Sequence, residues 1–116
     1  MLNEEFRQKL VDNGFDESIV FDAPYFDNSI IGANDEGRLV YLYDKMVEEF
    51  MEDNDCPYDE AADFISYNTV RTLPYIHGCK PIIACYRMDE DVDDYLVDIT
   101  DYSDEPEPIV FEKFNF

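Results

Sequence analysis

The excess of acidic residues is the feature that most constrains this chain. It contains 29 Asp and Glu residues against 8 Lys and Arg residues, which gives a formal net charge of −21 at pH 7. Repulsion among so many like charges opposes a compact state, so the chain must bury enough apolar surface to overcome it. Because 46% of the residues are apolar, including nine Phe and nine Tyr, we expect an ordered core rather than disorder throughout.

A length of 116 residues favours a single domain that spans residues 1–116, because one hydrophobic core serves chains of this size. No apolar run approaches the roughly 18 residues that a membrane span requires, and the first five residues lack the basic and apolar regions of a signal peptide. Three cysteines without a framework spacing fit a reducing compartment better than a disulfide scaffold. We therefore expect a cytoplasmic protein.

Turn residues and apolar periodicity predict a β-hairpin followed by a helix. The hairpin consists of the β-prone runs 29–33 and 38–43, joined by a turn that ends at Gly37. Asp44 is positioned to cap the following helix, which the pattern predicts at 45–52. The apolar stripe of this helix contains Met46, Val47, Phe50 and Met51, and its water-facing acids are Glu48, Glu49 and Glu52.

The second half of the chain predicts a further helix and more strands. The second helix runs from about Pro57 to Leu73, with Asp59 and Glu60 at the positive end of its dipole. The run 81–87 is apolar enough for a central strand. The remaining predicted elements are a helix at 3–11 and short strands at 19–21, 95–99 and 109–111. Together they predict an α+β class: a small single domain with a β-hairpin, two main helices and a short antiparallel sheet.

The segment 88–107 contains ten acids and no base. Apolar residues are interleaved with these acids, so we interpret 95–99 as a strand with acids on its exposed positions rather than as a disordered tail. Residues two apart on a strand lie roughly 6.6 Å from each other, which approximates every second phosphate of a DNA strand. A ladder of Asp89, Asp91 and Asp93 would therefore imitate DNA. The alternative is a solvated flank that discourages edge pairing.

The acidic surface predicts a basic protein as the partner. Lys and Arg are needed to displace counterions from phosphates, and anionic membranes attract the same residues, so nucleic acid and membrane are both disfavoured as direct ligands. The predicted partner-binding residues are Asp89, Glu90, Asp91, Asp93, Asp94, Asp98 and Asp101. The alternative is that the excess acid only keeps a monomeric protein soluble.

Metal binding and catalysis have weaker support. Cys56, His77, Cys79 and Cys85 are suitable zinc ligands, but a helix over 57–73 would be roughly 24 Å long and would separate the first from the others. His77 and Cys79 occupy a short turn without an identifiable orienting group or oxyanion hole, and no Gly-rich phosphate loop is present. We therefore predict no metal site, no cofactor and no enzymatic activity. A zinc-stabilised binding module remains an alternative.

Two stretches stand out as motifs: 35–46 (DEGRLVYLYDKM) and 67–75 (YNTVRTLPY), the second followed by Pro-Ile-Ile at 81–83. They resemble a family of small uncharacterised proteins from phages and mobile elements of Gram-positive bacteria. The resemblance covers about residues 29–87 and carries no known catalytic residues. It implies a genomic context whose small acidic proteins include anti-CRISPR proteins, several of which resemble DNA and occupy the nucleic-acid channel of a Cas nuclease. The acidic extension after Arg87 lies outside the matched part.

The resemblance and the acidic charge together lead us to expect an anti-CRISPR-type inhibitor in the cytoplasm of a bacterial host. Its expected target is the basic nucleic-acid-binding groove of a CRISPR effector nuclease such as Cas9. Tyr67, Asn68 and Arg71, within the matched part, are interpreted as structural residues one turn apart on the second helix. The alternative is a small structural or regulatory phage protein.

Overall fold

A mixed β-sheet and three α-helices organise the fold. The computed structural model describes residues 3–21, 25–76, 78–89, 92–98 and 111–114. Within these ranges the helices are α1 (Glu4–Asp12), α2 (Tyr43–Asn54) and α3 (Tyr58–Phe64). The strands are β1 (Ile30–Ala33), β2 (Leu39–Leu42), β3 (Ile82–Asp89), β4 (Val92–Asp98) and β5 (Glu112–Lys113). This small compact α+β domain confirms the predicted fold class.

The sheet has the strand order β4-β3-β2-β1-β5. The pairs β1–β2, β1–β5 and β3–β4 are antiparallel, and the first of them is the predicted hairpin. β2 and β3 are parallel, with Val40 opposite Ile82 and Leu42 opposite Ala84. Parallel neighbours need a crossover connection, and α2 and α3 lie in the segment that connects these two strands. The sheet as a whole is therefore mixed, which corrects the antiparallel sheet predicted from the sequence.

The strands agree with the sequence prediction in the sheet centre and less well elsewhere. Residues 82–87 of the predicted run 81–87 lie in β3, which continues to Asp89 and lies between β2 and β4 as a central strand. β4 covers 95–98 of the predicted strand 95–99, and residue 99 lies outside the described residues. The predicted edge strand at 109–111 instead forms at Glu112–Lys113, where it pairs with β1; Phe111 precedes it, and residues 109 and 110 lie outside the described residues.

The predicted strand at 19–21 is wrong. The amide of Ile19 donates to the carbonyl of Cys79 at 3.1 Å, and the amide of Phe21 donates to the hydroxyl of Tyr41, also at 3.1 Å. These amides therefore bond to a loop and to a side chain rather than to a neighbouring strand. The aromatic ring of Phe21 packs on Tyr41 with 4.8 Å between centroids, so the apolar pattern here reflects core packing.

The core lies on both faces of β2, which is buried along its whole length. Leu39 and Tyr41 belong to the larger core cluster, and Val40 belongs to a second cluster with Ile82 and Ala84. The α2 residues of the larger cluster are Met46, Val47 and Phe50, with Met51 partly buried against it. The apolar stripe predicted for α2 is therefore confirmed.

The start of α2 differs from the prediction. The helix begins at Tyr43, and its N-cap residue is Leu42, which makes no side-chain capping bond. Asp44 lies within the first turn and does not cap the helix, because the chain enters α2 directly from the last residue of β2. Its carboxylate remains near the positive end of the helix dipole.

The second predicted helix divides into three segments. α3 is followed by a π-helical turn (Ile65–Thr69) and a 3₁₀ helix (Val70–Tyr75), where one helix over 57–73 was predicted. The predicted start near Pro57 is confirmed, since Pro57 is the N-cap of α3, and Asp59 and Glu60 lie in its first turn as predicted. The 24 Å length inferred for one continuous α-helix does not apply to this segmented structure.

An ion pair between Arg7 and the buried Asp27 attaches the first helix to the 3₁₀ turn (Asp27–Ser29) that precedes β1. Asn3 caps α1 by accepting from the amide of Phe6, and Asn13 and Gly14 end the helix as predicted. The guanidinium of Arg7 donates to both carboxylate oxygens of Asp27 at 2.8 and 3.0 Å, and the Asp27 side chain is fully buried. Among the described residues, no helix is both long enough and apolar enough to cross a membrane.

Candidate protein-binding surface

The β3–β4 hairpin carries four of the seven predicted partner-binding residues. Asp89 ends β3, and Asp93, Asp94 and Asp98 belong to β4. The other three, Glu90, Asp91 and Asp101, lie outside the described residues. In the register of the hairpin, Asp98 is opposite Ala84 and Asp89 is opposite Val92. The structure therefore places Asp89 and Asp93 near one end of the hairpin and Asp98 toward the other.

The proposed ladder of Asp89, Asp91 and Asp93 along one strand is wrong. Asp89 belongs to β3 and Asp93 to β4, and these two strands pair antiparallel, with Asp89 opposite Val92. A spacing of 6.6 Å per two residues applies only within one extended strand. Any imitation of a phosphate backbone must therefore come from the two strands of the hairpin together.

The hairpin extends beyond the rest of the sheet. β2 pairs with β3 only as far as Leu42 opposite Ala84, whereas β3 continues to Asp89. From Cys85 to Asp89, the partner of β3 within the described part of the chain is β4 alone. Five residues of strand span roughly 16 Å. The β3–β4 hairpin therefore continues for about 16 Å in which, among the described residues, its two strands pair only with each other.

Helices α2 and α3 carry a separate group of acidic residues, and these are exposed. They are Asp44, Glu48, Glu52, Asp53, Asp59, Glu60 and Asp63, and Asp55 between the helices is exposed as well. Lys45 is the one basic residue between Tyr43 and Thr69. The acidic surface is thus wider than the segment 88–107 to which the sequence prediction confined it.

Glu49 corrects the predicted acidic face of α2. Glu49 is only 7% exposed, and its Oε1 accepts a hydrogen bond from the Ser29 hydroxyl at 2.8 Å. Glu48 and Glu52 are exposed as predicted. Because a buried carboxylate needs hydrogen-bonding partners, Glu49 is part of the packing between α2 and the turn before β1 rather than part of a binding surface.

Four exposed residues are spaced four apart in the sequence, from the last turn of α3 to the end of the 3₁₀ helix: Asp63, Tyr67, Arg71 and Tyr75. We call these four residues the tyrosine ridge. The exposed fractions of Tyr67 and Tyr75 are 67% and 82%, and Asp63 and Arg71 are also exposed. The guanidinium carbon of Arg71 lies 5.3 Å from the centroid of the Tyr67 ring. The sequence interpretation treated Tyr67 and Arg71 as structural and assigned no role to Asp63 or Tyr75, although the four-residue spacing was visible.

The cysteines are distributed over different elements. Cys56 lies between α2 and α3. Cys79 lies between the 3₁₀ helix and β3, and Cys85 lies in β3 opposite Val97. His77 is outside the described residues. Among the residues that the structure describes, no group of three or more His, Cys, Asp or Glu side chains has the geometry to hold a metal ion.

The environment of Cys56 makes its thiol a weak nucleophile. Desolvation raises the pKa of the thiol, and the negative charges of Glu60 and Asp55 raise it further. Because the thiolate is the reactive and metal-binding form, a raised pKa lowers the fraction of this form at neutral pH. Cys56 therefore has the electrostatic surroundings of an unreactive cysteine.

Comparison of the chain with known protein families, with curated proteins and with solved structures finds no match. The resemblance of 35–46 and 67–75 to a phage and mobile-element family therefore stays a prediction. The described fold places these stretches on the β1–β2 turn, β2 and the start of α2, and on the π-helical and 3₁₀ segments.

Proposed function

We propose that this protein is an anti-CRISPR-type inhibitor that binds the basic nucleic-acid-binding groove of a Cas9-like effector nuclease through an acidic, DNA-mimicking surface. The observation that carries the proposal is the acidic β3–β4 hairpin, which extends beyond β2 in a protein of net charge −21. A two-stranded element with acidic residues on both strands, and with no further strand paired to β3 after Ala84 among the described residues, suits a groove lined with Lys and Arg.

Electrostatics favours this class of partner over others. A basic groove that holds a guide and target duplex recognises backbone charge and shape rather than sequence. Carboxylates can replace phosphates in such a groove without any base contact. The same carboxylates repel nucleic acid and repel a second copy of the chain, so we propose a monomer that acts by stoichiometric occupation of the groove.

The test is inhibition of DNA cleavage by purified, guide-loaded Cas9-type nucleases. We expect cleavage to stop near equimolar inhibitor, and we expect affinity to fall about tenfold between low and moderate salt, because exposed charge pairs are screened over about 8 Å at physiological ionic strength. Titration of the inhibitor by cleavage assay and by calorimetry measures both quantities. Full cleavage at a tenfold excess of the protein would contradict the proposal, and salt-independent inhibition would exclude electrostatic recognition.

A further inference from the structure

Buried residues that alternate with the tyrosine ridge along the chain hold this segment against the core. Ala61, Ile65, Thr69 and Leu73 also recur at intervals of four, and all of them are 5% exposed or less. The Thr72 hydroxyl donates to the Thr69 carbonyl at 2.8 Å, and the Asn68 amide donates to the Phe64 carbonyl at 3.2 Å. The backbone that carries Tyr67 and Arg71 is therefore fixed by the core and by local hydrogen bonds.

The ring of Tyr67 is preorganised as a binding group. Arg71 lies over it within the distance of a cation–π contact, which restricts the rotamers of both side chains. A surface whose side chains are already ordered loses less entropy when it binds. Exposed Tyr and Arg residues are also the types that contribute most to binding energy at protein interfaces.

The charge around the ridge selects the class of partner. Asp63 belongs to the ridge, and Asp59 and Glu60 lie about one turn before it on α3, all three exposed. A second copy of this chain or a nucleic acid would bring further negative charge to these carboxylates. A basic protein surface is complementary to them.

We propose that the tyrosine ridge docks an arginine-rich protein surface, with guanidinium groups of the partner stacking on the rings of Tyr67 and Tyr75 and pairing with Asp63. Arginine is favoured over lysine because the planar guanidinium stacks on aromatic rings and is weakly hydrated, whereas an ammonium group keeps its water. The intramolecular contact of Arg71 with Tyr67 is an example of this geometry in the same structure. The inference rests on the proposed function only in taking the partner to be a basic protein.

The test compares nona-arginine with nona-lysine peptides, which carry equal charge, as probes of the full-length protein at physiological salt. We expect the wild type to bind the arginine peptide more tightly. Tyr67→Ala and Tyr75→Ala should each reduce this preference, and the double variant should reduce it by about threefold or more, since an exposed cation–π contact is worth about 0.5–1 kcal/mol. Fluorescence anisotropy titrations measure both affinities.

Two controls separate stacking from charge and from misfolding. Tyr58→Ala removes another exposed tyrosine, 54% exposed, that lies outside the ridge, and the arginine preference should stay at the wild-type ratio. Tyr67→Phe keeps the ring and should keep the preference. Equal reduction by Tyr58→Ala, or an unchanged ratio in the double variant with an intact thermal transition, would overturn the inference.

Further measurements distinguish a basic protein partner from a second copy of the chain or DNA, and separate this inference from the proposed function. Self-association that Tyr67→Ala abolishes, or binding of single-stranded DNA that the same variant abolishes, would also overturn it. If the ridge variants lose the arginine preference while the wild type fails to inhibit any Cas9-type nuclease, the ridge is supported and the nuclease proposal fails. If inhibition is strong and the ridge variants bind both peptides like wild type, the nuclease proposal stands and the ridge inference fails.

Discussion

Glu49 shows how a single residue can depart from the pattern of its helix. It lies between Glu48 and the buried Phe50, and sequence alone places it with the water-facing acids of α2. The turn at Asp27–Ser29 packs against this helix and brings the Ser29 hydroxyl within 2.8 Å of the carboxylate. A residue three positions after Met46 lies at the margin of the apolar stripe, so a neighbouring polar group decides whether it is covered.

We predict that Glu49→Ala lowers the free energy of unfolding by about 2 kcal/mol, because it removes a charged hydrogen bond and leaves the buried Ser29 hydroxyl without this acceptor. Glu48→Ala is the matched control on the same helix, and as an exposed substitution it should change stability by about 0.5 kcal/mol or less. Urea unfolding followed by circular dichroism measures both. Equal effects of the two substitutions would contradict the burial of Glu49.

At the scale of elements, the close contact between β1 and β5 depends on one glycine. A Cβ at Gly32 would meet the carbonyl group of Glu112 and the ring of Phe111 at distances that real side chains do not tolerate. We therefore predict that Gly32→Ala displaces β5 and costs about 2 kcal/mol, in the range of overpacked substitutions. The readout is hydrogen exchange of the Phe114 amide, which donates to the Ile31 carbonyl at 3.0 Å and should lose its protection.

The control for this prediction is Gly14→Ala. Gly14 has φ +90°, and a methyl group on its Cα would meet none of the described residues within 4 Å, so the cost of the substitution is backbone strain alone. This variant should leave the Phe114 amide protected. Unchanged exchange at Phe114 in Gly32→Ala would show that β5 adapts to the added methyl group.

The sequence predicted most elements because their signals are local. The turn after β1, the apolar run of β3 and the stripe of α2 each lie within one segment, and all three are confirmed. The parallel pairing of β2 with β3 is a long-range property that no local pattern encodes. The corrected positions of Asp44 and Glu49 depend likewise on what precedes or packs against α2.

The division of the second predicted helix matches the spacing of its buried residues only in part. Ala61, Ile65, Thr69 and Leu73 are buried at four-residue intervals, but an α-helix has 3.6 residues per turn, so such a row drifts by about 40° at each step. A π-helical turn contains more residues per turn, and the turn at Ile65–Thr69 offsets this drift. The step from Thr69 to Leu73 falls in the 3₁₀ helix, which has about three residues per turn and does not continue the same row. The burial of these positions therefore depends on packing against the core rather than on one local period.

At the scale of the whole molecule, acidic charge has two distinguishable consequences. Like charges repel each other in the folded state, which lowers stability, and they attract a basic partner, which raises affinity. The exposed carboxylates of α2 and α3 contribute to the first effect wherever they lie on the surface. Only residues at the interface contribute strongly to the second, so the two effects can be separated by neutralising different sets of acids.

The hairpin set is Asp89, Glu90, Asp91, Asp93 and Asp94, and the control set is Asp16, Glu17, Glu48, Glu52 and Asp55, each changed to the corresponding amide. Glu49 is excluded because it is buried, and the control acids are all exposed. Each variant loses five negative charges, so the long-range attraction to a basic groove falls by a similar amount in both. We expect the hairpin variant to inhibit Cas9-type cleavage at least tenfold less well, with a melting temperature equal to or above the wild type, and the control variant to lose about threefold or less. Equal loss in both variants would mean that net charge alone drives binding, and a greater loss in the control set would move the binding surface from the hairpin to the helices.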